Sequence, residues 1–278
     1  MDYGKVFDSN RTVDCGLRTC TMKLGVVPYL NSFPLTYGLN AKIYQEVPAK
    51  LTRKADPDDI ILAPIIEAFQ DSCWHLCDGI GIGSYGVVET VKLLFRESHI
   101  SVSNLKQIYL DAESKTSRSL LKILLQNFYH RPLNTILFSD EIETADGALV
   151  IGDKIWNPDG PWSLVPGPWS LVPSPWSVDL GQAWTQWTGL PFVYACWMTR
   201  SRAAALEWKG RLVKQAQENL KNLRQLAAQA PPNHCPDLVG YWRRLKYDLD
   251  AESKKGIALF QKYWCELEGK PRLNLHWV

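Results

Sequence analysis

The chain has 278 residues, of which 46% are hydrophobic and 22% are charged, and this ordinary globular composition excludes a chain that is disordered throughout. Lysine and arginine total 31 against 29 for aspartate and glutamate, for a net charge of +2, which gives no support for binding nucleic acid or a membrane surface through net charge. No run approaches the length of about 18 apolar residues that a transmembrane helix needs, and the length suits one large domain or two ordinary ones.

The start of the chain does not read as part of a folded domain. Residues 1–21 carry scattered charges and no apolar stretch, so they do not predict a signal peptide, and we expect a disordered extension that ends where MKLGVVPYL begins. The seven cysteines are odd in number and irregularly spaced, which favours reduced thiols in the cytoplasm. Cys73, His75 and Cys77 lie close together, but a structural zinc site needs a second pair of ligands, so we predict no metal.

From residue 23 onward, strand-like runs alternate with helix-like runs. The strand-like runs are residues 23–30, 43–48, 58–65 and 148–153; a glycine-rich segment covers 75–95, a strand–turn–helix unit covers 107–129, and long helices are expected at 201–229 and 238–268. This alternation predicts an α/β fold with mainly parallel sheets.

Polar turns follow several of these strands. They are Asn31-Ser32, Gly83-Ser84, Ser114 to Ser117, and Gly152-Asp153. Because ligands of open α/β sheets bind at the carboxyl ends of strands, each turn is a candidate part of a ligand site.

One segment breaks the alternation. Residues 160–178 read GPWSLVPGPWSLVPSPWSV, a seven-residue repeat with proline at fixed offsets. Such prolines are incompatible with a long helix or a central strand, so the repeat predicts an exposed loop over 157–178 with little regular structure.

Six segments occur in an order that resembles a known family. They are VVPYLNSFPLTYGL (26–39), DIILAPI (59–65), GIGSYGVVETVKLLFR (81–96), IYLDAESKTSRSLLKILL (108–125), ALVIGD (148–153) and DLGQAWTQWTGLPFVYACWMTR (179–200). Together they resemble chorismate dehydratase of the futalosine route to menaquinone. The resemblance implies a periplasmic-binding-protein-like type II fold, with two α/β lobes and a ligand cleft between them, working in the cytoplasm. Members often have Ser-Asp-Gly-Pro-Val where this chain has Ser84-Tyr85-Gly86-Val87-Val88.

The resemblance also implies a reaction and a set of site residues. Chorismate would lose water to give 3-(1-carboxyvinyloxy)benzoate, in a carbon–oxygen lyase reaction that needs no cofactor. The implied catalytic residues are Asn31 and Ser84, and the implied substrate-binding residues are Tyr29, Ser114, Thr116, Ser117, Gly152 and Asp153. The Ser114 to Ser117 turn precedes a helix, where the helix dipole favours a carboxylate.

From the residues alone, plainer roles are open for the same positions. The Ser114 to Ser117 turn is suited to capping a helix, and Asn31, Ser84 and Asp153 are common in turns. No histidine or glutamate in these turns is an obvious base, which leaves the enolpyruvyl carboxylate of the substrate as one candidate for removing the ring proton.

The domain organisation follows from the same reading. We expect an extension at 1–21, a first lobe at 22–92, a second lobe at 93–198 that carries the 157–178 loop, and C-terminal helices at 199–278 that return to the first lobe. The expected partner is a small molecule, chorismate, with no nucleic acid and no membrane; the oligomeric state is not predicted.

Two alternative functions remain at this stage. One is a sister enzyme similar to 1,4-dihydroxy-6-naphthoate synthase, which shares the fold and is expected to carry a histidine base in its second lobe. The other is a non-catalytic solute-binding protein, which would need an export signal or a lipidated cysteine near its start.

Overall fold

The computed structural model describes residues 23–110, 114–157 and 176–278. The predicted extension at 1–21 lies outside the described residues, as do residues 158–175, which make up most of the predicted loop. The strands are β1 (Lys23–Val26), β2 (Lys42–Gln45), β3 (Ile60–Pro64), β4 (His75–Ser84), β5 (Val91–Phe95), β6 (Gln107–Leu110), β7 (Leu137–Ser139), β8 (Gly147–Ile151), β9 (Ser177–Asp179), β10 (Phe192–Thr199), β11 (Leu245–Leu249) and β12 (His276–Trp277). The α-helices are α1 (Phe33–Thr36), α2 (Pro48–Lys54), α3 (Ile66–Gln70), α4 (Lys115–Ile123), α5 (Leu180–Thr188), α6 (Arg202–Lys221), α7 (Leu223–Ala227), α8 (Leu238–Arg244) and α9 (Ala251–Glu268).

The strands form two sheets. The first sheet has the order β11-β4-β10-β3-β1-β2, with β12 also paired to β4, and the second has the order β7-β6-β8-β5-β9. We call the first sheet with its helices the first lobe, and the second sheet with α4 and α5 the second lobe. Two sheets flanked by helices confirm the predicted α/β class.

The sheets are mixed rather than mainly parallel, which corrects the sequence-based expectation. Of the ten strand pairings in the described part of the chain, five are parallel and five are antiparallel. The antiparallel pairings in the first sheet all involve β10 or β11, which join it after the chain has passed through the second lobe.

The chain crosses between the lobes twice, after β4 and again after α5. The expected second lobe, residues 93–198, would include most of β10, but β10 pairs with β3 and β4 in the first sheet. Gly81 and Gly83 in β4 allow the backbones of β4 and β10 to approach closely, which favours this pairing. A Cβ on Gly83 would lie 2.7 Å from the Phe192 carbonyl oxygen. We therefore propose that the second lobe ends with α5 rather than with β10.

Two further expectations are wrong in part. The end of the predicted loop is ordered as a strand, because Ser177 and Val178 belong to β9 and pair with β5. The helix expected over 238–268 is interrupted by β11, where Leu245, Tyr247 and Leu249 alternate as buried residues with more exposed neighbours. Alternation with a period of two is the pattern of a strand, and it divides the expected helix into α8 and α9.

Candidate functional site

The turn after β1 carries the first candidate residues, and its backbone is held by three side chains. Trp242 Nε1 donates to the Leu30 carbonyl over 2.9 Å, and the Tyr247 hydroxyl donates to the Asn31 carbonyl over 3.1 Å. The Leu30 N–H donates to Asp153 Oδ2 over 2.8 Å. These contacts fix the main chain of the turn and do not use the side chain of Asn31.

The Asn31 side chain is left with unused hydrogen-bonding capacity. Its Oδ1 atom is buried and has no hydrogen-bond partner among the described residues. A buried acceptor without a donor costs free energy, about 1–3 kcal/mol, unless a ligand or water supplies the bond. The Asn31 side chain is therefore able to accept a hydrogen bond from a ligand or a water molecule.

Asp153 brings the second lobe against this turn. It lies in the 3-10 turn Gly152–Trp156 that follows β8, whereas Leu30 follows β1 in the first sheet. Gly152 has a positive φ of 69°, and a Cβ there would lie 3.0 Å from the ring of Tyr29. Glycine is therefore required for this close approach of the two lobes.

The Asp153 carboxyl group is buried. Burial raises its pKa to about 7, although the hydrogen bond from the Leu30 N–H acts in the opposite direction. Its Oδ1 atom is buried and has no partner among the described residues. Asp153 and Asn31 therefore each present a buried oxygen with an unused lone pair, from opposite lobes.

Two buried phenols, Tyr241 and Tyr247, interact with the charge of Asp153. The Tyr241 hydroxyl lies 3.1 Å from Thr90 Oγ1, and the Thr90 carbonyl accepts from the Gly152 N–H over 2.7 Å. Burial, with the charge of Asp153 as a smaller cause, raises the pKa of Tyr241 and also that of Tyr247. Both phenols therefore stay protonated at neutral pH.

Ser84 ends β4 in a second, adjoining environment. Its side chain is fully buried, and its Oγ lies 3.3 Å from the Tyr194 hydroxyl. Gly181, in the first turn of α5, packs against it so closely that a Cβ on the glycine would lie 2.6 Å from Ser84 Oγ. Tyr194 interacts electrostatically with Tyr241, which in turn interacts with Asp153, so the Ser84 and Asp153 environments are neighbours.

Asp179 positions the start of α5 beside Ser84. Its carboxylate accepts from the Gln182 N–H as the helix cap, and from the N–H groups of Val88 and Glu89 in the first crossing between the lobes. One side chain thus ties the start of α5 to the first crossing. Sequence reasoning missed Asp179 because its partners in the first crossing, Val88 and Glu89, lie about 90 residues away in the chain.

The turn at 114–117 forms a cap, as the plainer reading of the sequence predicts. Ser114 Oγ accepts from the Ser117 N–H over 3.2 Å, and it also donates to Ser117 Oγ over 3.1 Å. Thr116 differs, because its Oγ1 is buried without a hydrogen-bond partner in the described ranges. Lys115 forms an ion pair of 3.0 Å with Glu67 on α3, which joins α4 to the first lobe.

The structure thus brings Tyr29, Asn31, Gly152 and Asp153 into one cluster, with Ser84 in a neighbouring environment. Ser114 to Ser117 lie at the start of α4, at another contact between the lobes. Sequence reasoning missed Tyr194, which lies in the 179–200 motif, and Trp242 and Tyr247, which lie in a segment read only as helix.

The described residues contain no group of three or more histidine, cysteine, aspartate or glutamate side chains that could hold a metal. Within the same residues, Cys73 is an exposed free thiol and Cys77 a buried one. No described helix is both long and apolar enough to cross a membrane.

The two lobes, with polar side chains where they meet, define a periplasmic-binding-protein-like type II fold. An alkanesulfonate-binding protein from Xanthomonas axonopodis pv. citri, solved with MOPS bound, has a TM-score of 0.57 at 13% identity, covering 90% of this chain and 94% of that one. The ligand-binding component of an ABC-type import system from Staphylococcus aureus has a TM-score of 0.55 at 10% identity, covering 90% of this chain and 94% of that one. At such low identity these similarities show the fold alone.

The sequence identifies the family. Residues 22–266 match the family model described as menaquinone biosynthesis, and the chain belongs to that family. A curated relative, a chorismate dehydratase from Thermus thermophilus, is 28% identical over 262 residues, covering 85% of this chain and 93% of the relative. The chain is therefore an enzyme of menaquinone biosynthesis, and the family predicted from its motifs is confirmed.

Proposed function

We propose that this enzyme is a chorismate dehydratase, a hydro-lyase that converts chorismate to 3-(1-carboxyvinyloxy)benzoate and water. The observation that carries the proposal is the match to the menaquinone biosynthesis family over residues 22–266. The chorismate dehydratase that is 28% identical to this chain, with 93% of its own length covered, supports the same reaction.

The site chemistry supports a reaction that depends on positioning. Aromatisation makes the loss of water from the ring favourable, so the enzyme mainly has to hold the diene in a reactive orientation. In this proposal Asn31 and Ser84 contact the reacting part of the substrate, and the enolpyruvyl carboxylate removes the ring proton. The unpartnered Oδ1 of Asn31 supports that role, because it is a buried acceptor available to a ligand hydroxyl.

The remaining site residues are proposed to anchor the substrate. Thr116, whose buried hydroxyl has no partner among the described residues, is suited to a carboxylate at the start of α4. Ser114 and Ser117 would complete that turn. Tyr29 and Gly152, which pack against each other, would line the cleft where the two lobes meet.

The sister-enzyme alternative has less support, because it calls for a histidine base in the second lobe. His99 is 72% exposed and pairs with Glu97. His130 is also exposed, where it lines an open cavity of about 490 Å³ with Gln126 and Asn134. The solute-binding alternative rests on the fold alone. Membership of a biosynthetic family favours an enzyme, and we propose that it works in the cytoplasm, where free thiols such as Cys73 are usual.

The test is to incubate the purified protein with chorismate and to follow the products by mass spectrometry and ultraviolet absorbance. We expect an aromatic product lighter than chorismate by one water. Asn31→Ala and Ser84→Ala should lose most of this activity and keep near-normal melting temperatures, since the Asn31 side chain is not used to hold its own turn. Ser103→Ala, a change at an exposed loop residue, is the matched control and should be fully active. Recovery of unchanged chorismate from the wild-type protein would end the proposal.

A further inference from the structure

This inference rests on the proposed function and concerns the departure of the ring hydroxyl group. Loss of water from chorismate requires a proton to leave a ring carbon and a hydroxyl group to depart with its bonding electrons. Hydroxide is a poor leaving group, and an acid that protonates it as the bond breaks can accelerate such a step by about 10²–10⁴-fold. The substrate carboxylate can serve as the base, and when the C–H and C–O bonds break in one step a second group has to give the hydroxyl its proton.

Asp153 has the geometry that this missing acid requires. Its Oδ2 is occupied by the Leu30 N–H at 2.8 Å, which holds the carboxyl group beside the turn that bears Asn31. The other oxygen, Oδ1, is buried and has no partner in the described part of the chain. The carboxyl group is thus fixed through one oxygen and has the second free for a ligand.

We propose that Asp153 is the general acid of the reaction and that it donates the proton on Oδ1 to the departing ring hydroxyl. The ring C–H proton passes to the enolpyruvyl carboxylate, the electrons of that C–H bond form the aromatic π-system, and the C–O bond breaks. The hydroxyl oxygen takes the Asp153 proton and leaves as water. When the lobes open, the product carboxylic acid loses its proton and Asp153 regains one from solvent, so the cycle balances.

The groups that face Asp153 allow it to hold a proton at neutral pH. They are Cys235 before α8, Tyr241 on α8 and Tyr247 on β11, all of which interact with its charge. Burial raises the pKa of Cys235 to about 11 and those of the two tyrosines well above their usual range. All three are therefore neutral at pH 7 and provide no cation to stabilise the carboxylate, and burial raises the pKa of Asp153 to about 7.

The experiment compares the wild type with Asp153→Asn. An asparagine has the same shape and its amide oxygen can still accept from the Leu30 N–H, but it has no acidic proton to give. We expect kcat to fall at least 100-fold, KM to change less than 3-fold, and the protein to remain folded at pH 7. Asp140→Asn, a change at an exposed aspartate with no part in the site, should leave kcat unchanged.

Two readouts separate an acid from a residue that only supports the turn. The wild-type kcat/KM should fall above a pH of about 7, where Asp153 loses its proton. The residual kcat/KM of Asp153→Asn should not show this fall. A chorismate analogue with fluorine in place of the ring hydroxyl needs less help from an acid, so the variant should process it within about 10-fold of the wild type.

The failure of this inference differs from the failure of the proposed function. If the wild type does not dehydrate chorismate, the proposed function itself is wrong. If the wild type is active and Asp153→Asn keeps more than a third of its kcat with the same pH profile, Asp153 is not the acid. If the variant is equally slow with the fluorine analogue, Asp153 acts as a positioning residue only.

Discussion

Asp153 illustrates at the scale of one residue how a site can reduce the stability of its own fold. Its pKa is raised from 3.8 to about 7 by burial, so the folded chain binds a proton more tightly than the unfolded chain does. Between pH 4 and pH 7 the stability of the folded state therefore falls as the pH rises. Each pKa unit of difference between the folded and unfolded chains corresponds to about 1.4 kcal/mol of unfolding free energy. Above pH 7 the folded state is therefore less stable by a few kcal/mol at most.

Asp153→Asn should change the stability of the protein independently of catalysis. The variant lacks the charge that is costly to bury, so at pH 8 it should have a melting temperature several degrees above that of the wild type. Near pH 4 the wild-type carboxyl group is protonated in the folded state and about half protonated in the unfolded state, so the two proteins should melt within about 1–2 °C of each other. Thermal melts monitored by circular dichroism at both pH values test the expectation, and a variant less stable at pH 8 would contradict it.

A second residue-scale prediction concerns Thr116, whose buried hydroxyl has no partner among the described residues. Thr116→Val keeps the shape and removes the unsatisfied group, so the free protein should gain about 1 kcal/mol of unfolding free energy. The same change removes a proposed anchor used in ground and transition states alike, so KM for chorismate should rise with little change in kcat. Urea unfolding and steady-state kinetics on the one variant measure both effects. A loss of stability together with an unchanged KM would show that Thr116 has a purely structural role.

At the scale of the element, the start of α5 is placed by a glycine that no other residue can replace. A Cβ on Gly181 would lie 2.6 Å from Ser84 Oγ and 2.8 Å from the Gly86 carbonyl oxygen. The carbonyl belongs to the backbone and cannot rotate away, so a methyl group at position 181 would push α5 away from Ser84. Gly210 in α6 offers a matched comparison, because a Cβ added there would meet nothing within 4 Å among the described residues.

The two glycine-to-alanine changes should therefore have opposite effects. Gly210→Ala should stabilise the protein by up to about 1 kcal/mol, because alanine is the better helix former. Gly181→Ala should destabilise it by about 1–3 kcal/mol through overpacking, and should reduce activity because Ser84 is displaced. Chemical denaturation of both variants, with an activity assay, checks the pair. Equal stability changes of the same sign would show that the contact around Gly181 relaxes easily.

Sequence patterns predicted the elements with strong local signals and missed those that depend on distant partners. The buried runs that became β1, β3 and β8, and the amphipathic α4, were all visible in the sequence. The assignment of β10 to the first sheet was not visible, because it depends on glycines in β4 that lie more than 100 residues earlier.

The candidate site shows the same division. The polar turns after strands were predicted from the sequence, and the cluster of Tyr29, Asn31, Gly152 and Asp153 brings two of them together. The side chains that fix this cluster could not be predicted, since Trp242 and Tyr247 lie more than 200 residues from the turn that they hold. Nothing in a single sequence marks such a contact.

At the scale of the whole molecule, the described arrangement is one in which the lobes are closed on each other. Asp153 contacts Leu30 across the cleft, Lys115 pairs with Glu67 at another point between the lobes, and Ser84 is fully buried. In the proposed function, a substrate would reach Asp153 and Ser84 after the lobes separate. Closing again would exclude water from the reacting groups and strengthen the hydrogen bonds that hold them.

The two crossings between the lobes have a consequence for the order in which a newly made chain can fold. The strands of the second sheet follow one another without interruption by the first, and that sheet is complete once β9 has been made. The first sheet needs β10, β11 and finally β12. In β12, His276 near the end of the chain pairs with His75 in β4. At synthesis rates of about 5–20 residues per second, the ribosome takes roughly 5–20 seconds to add the segment between β9 and β12. β10 follows β9 closely, but β11 and β12 come last, so for most of this interval the edge of β4 that they cover is unpaired and open to chaperones and to aggregation.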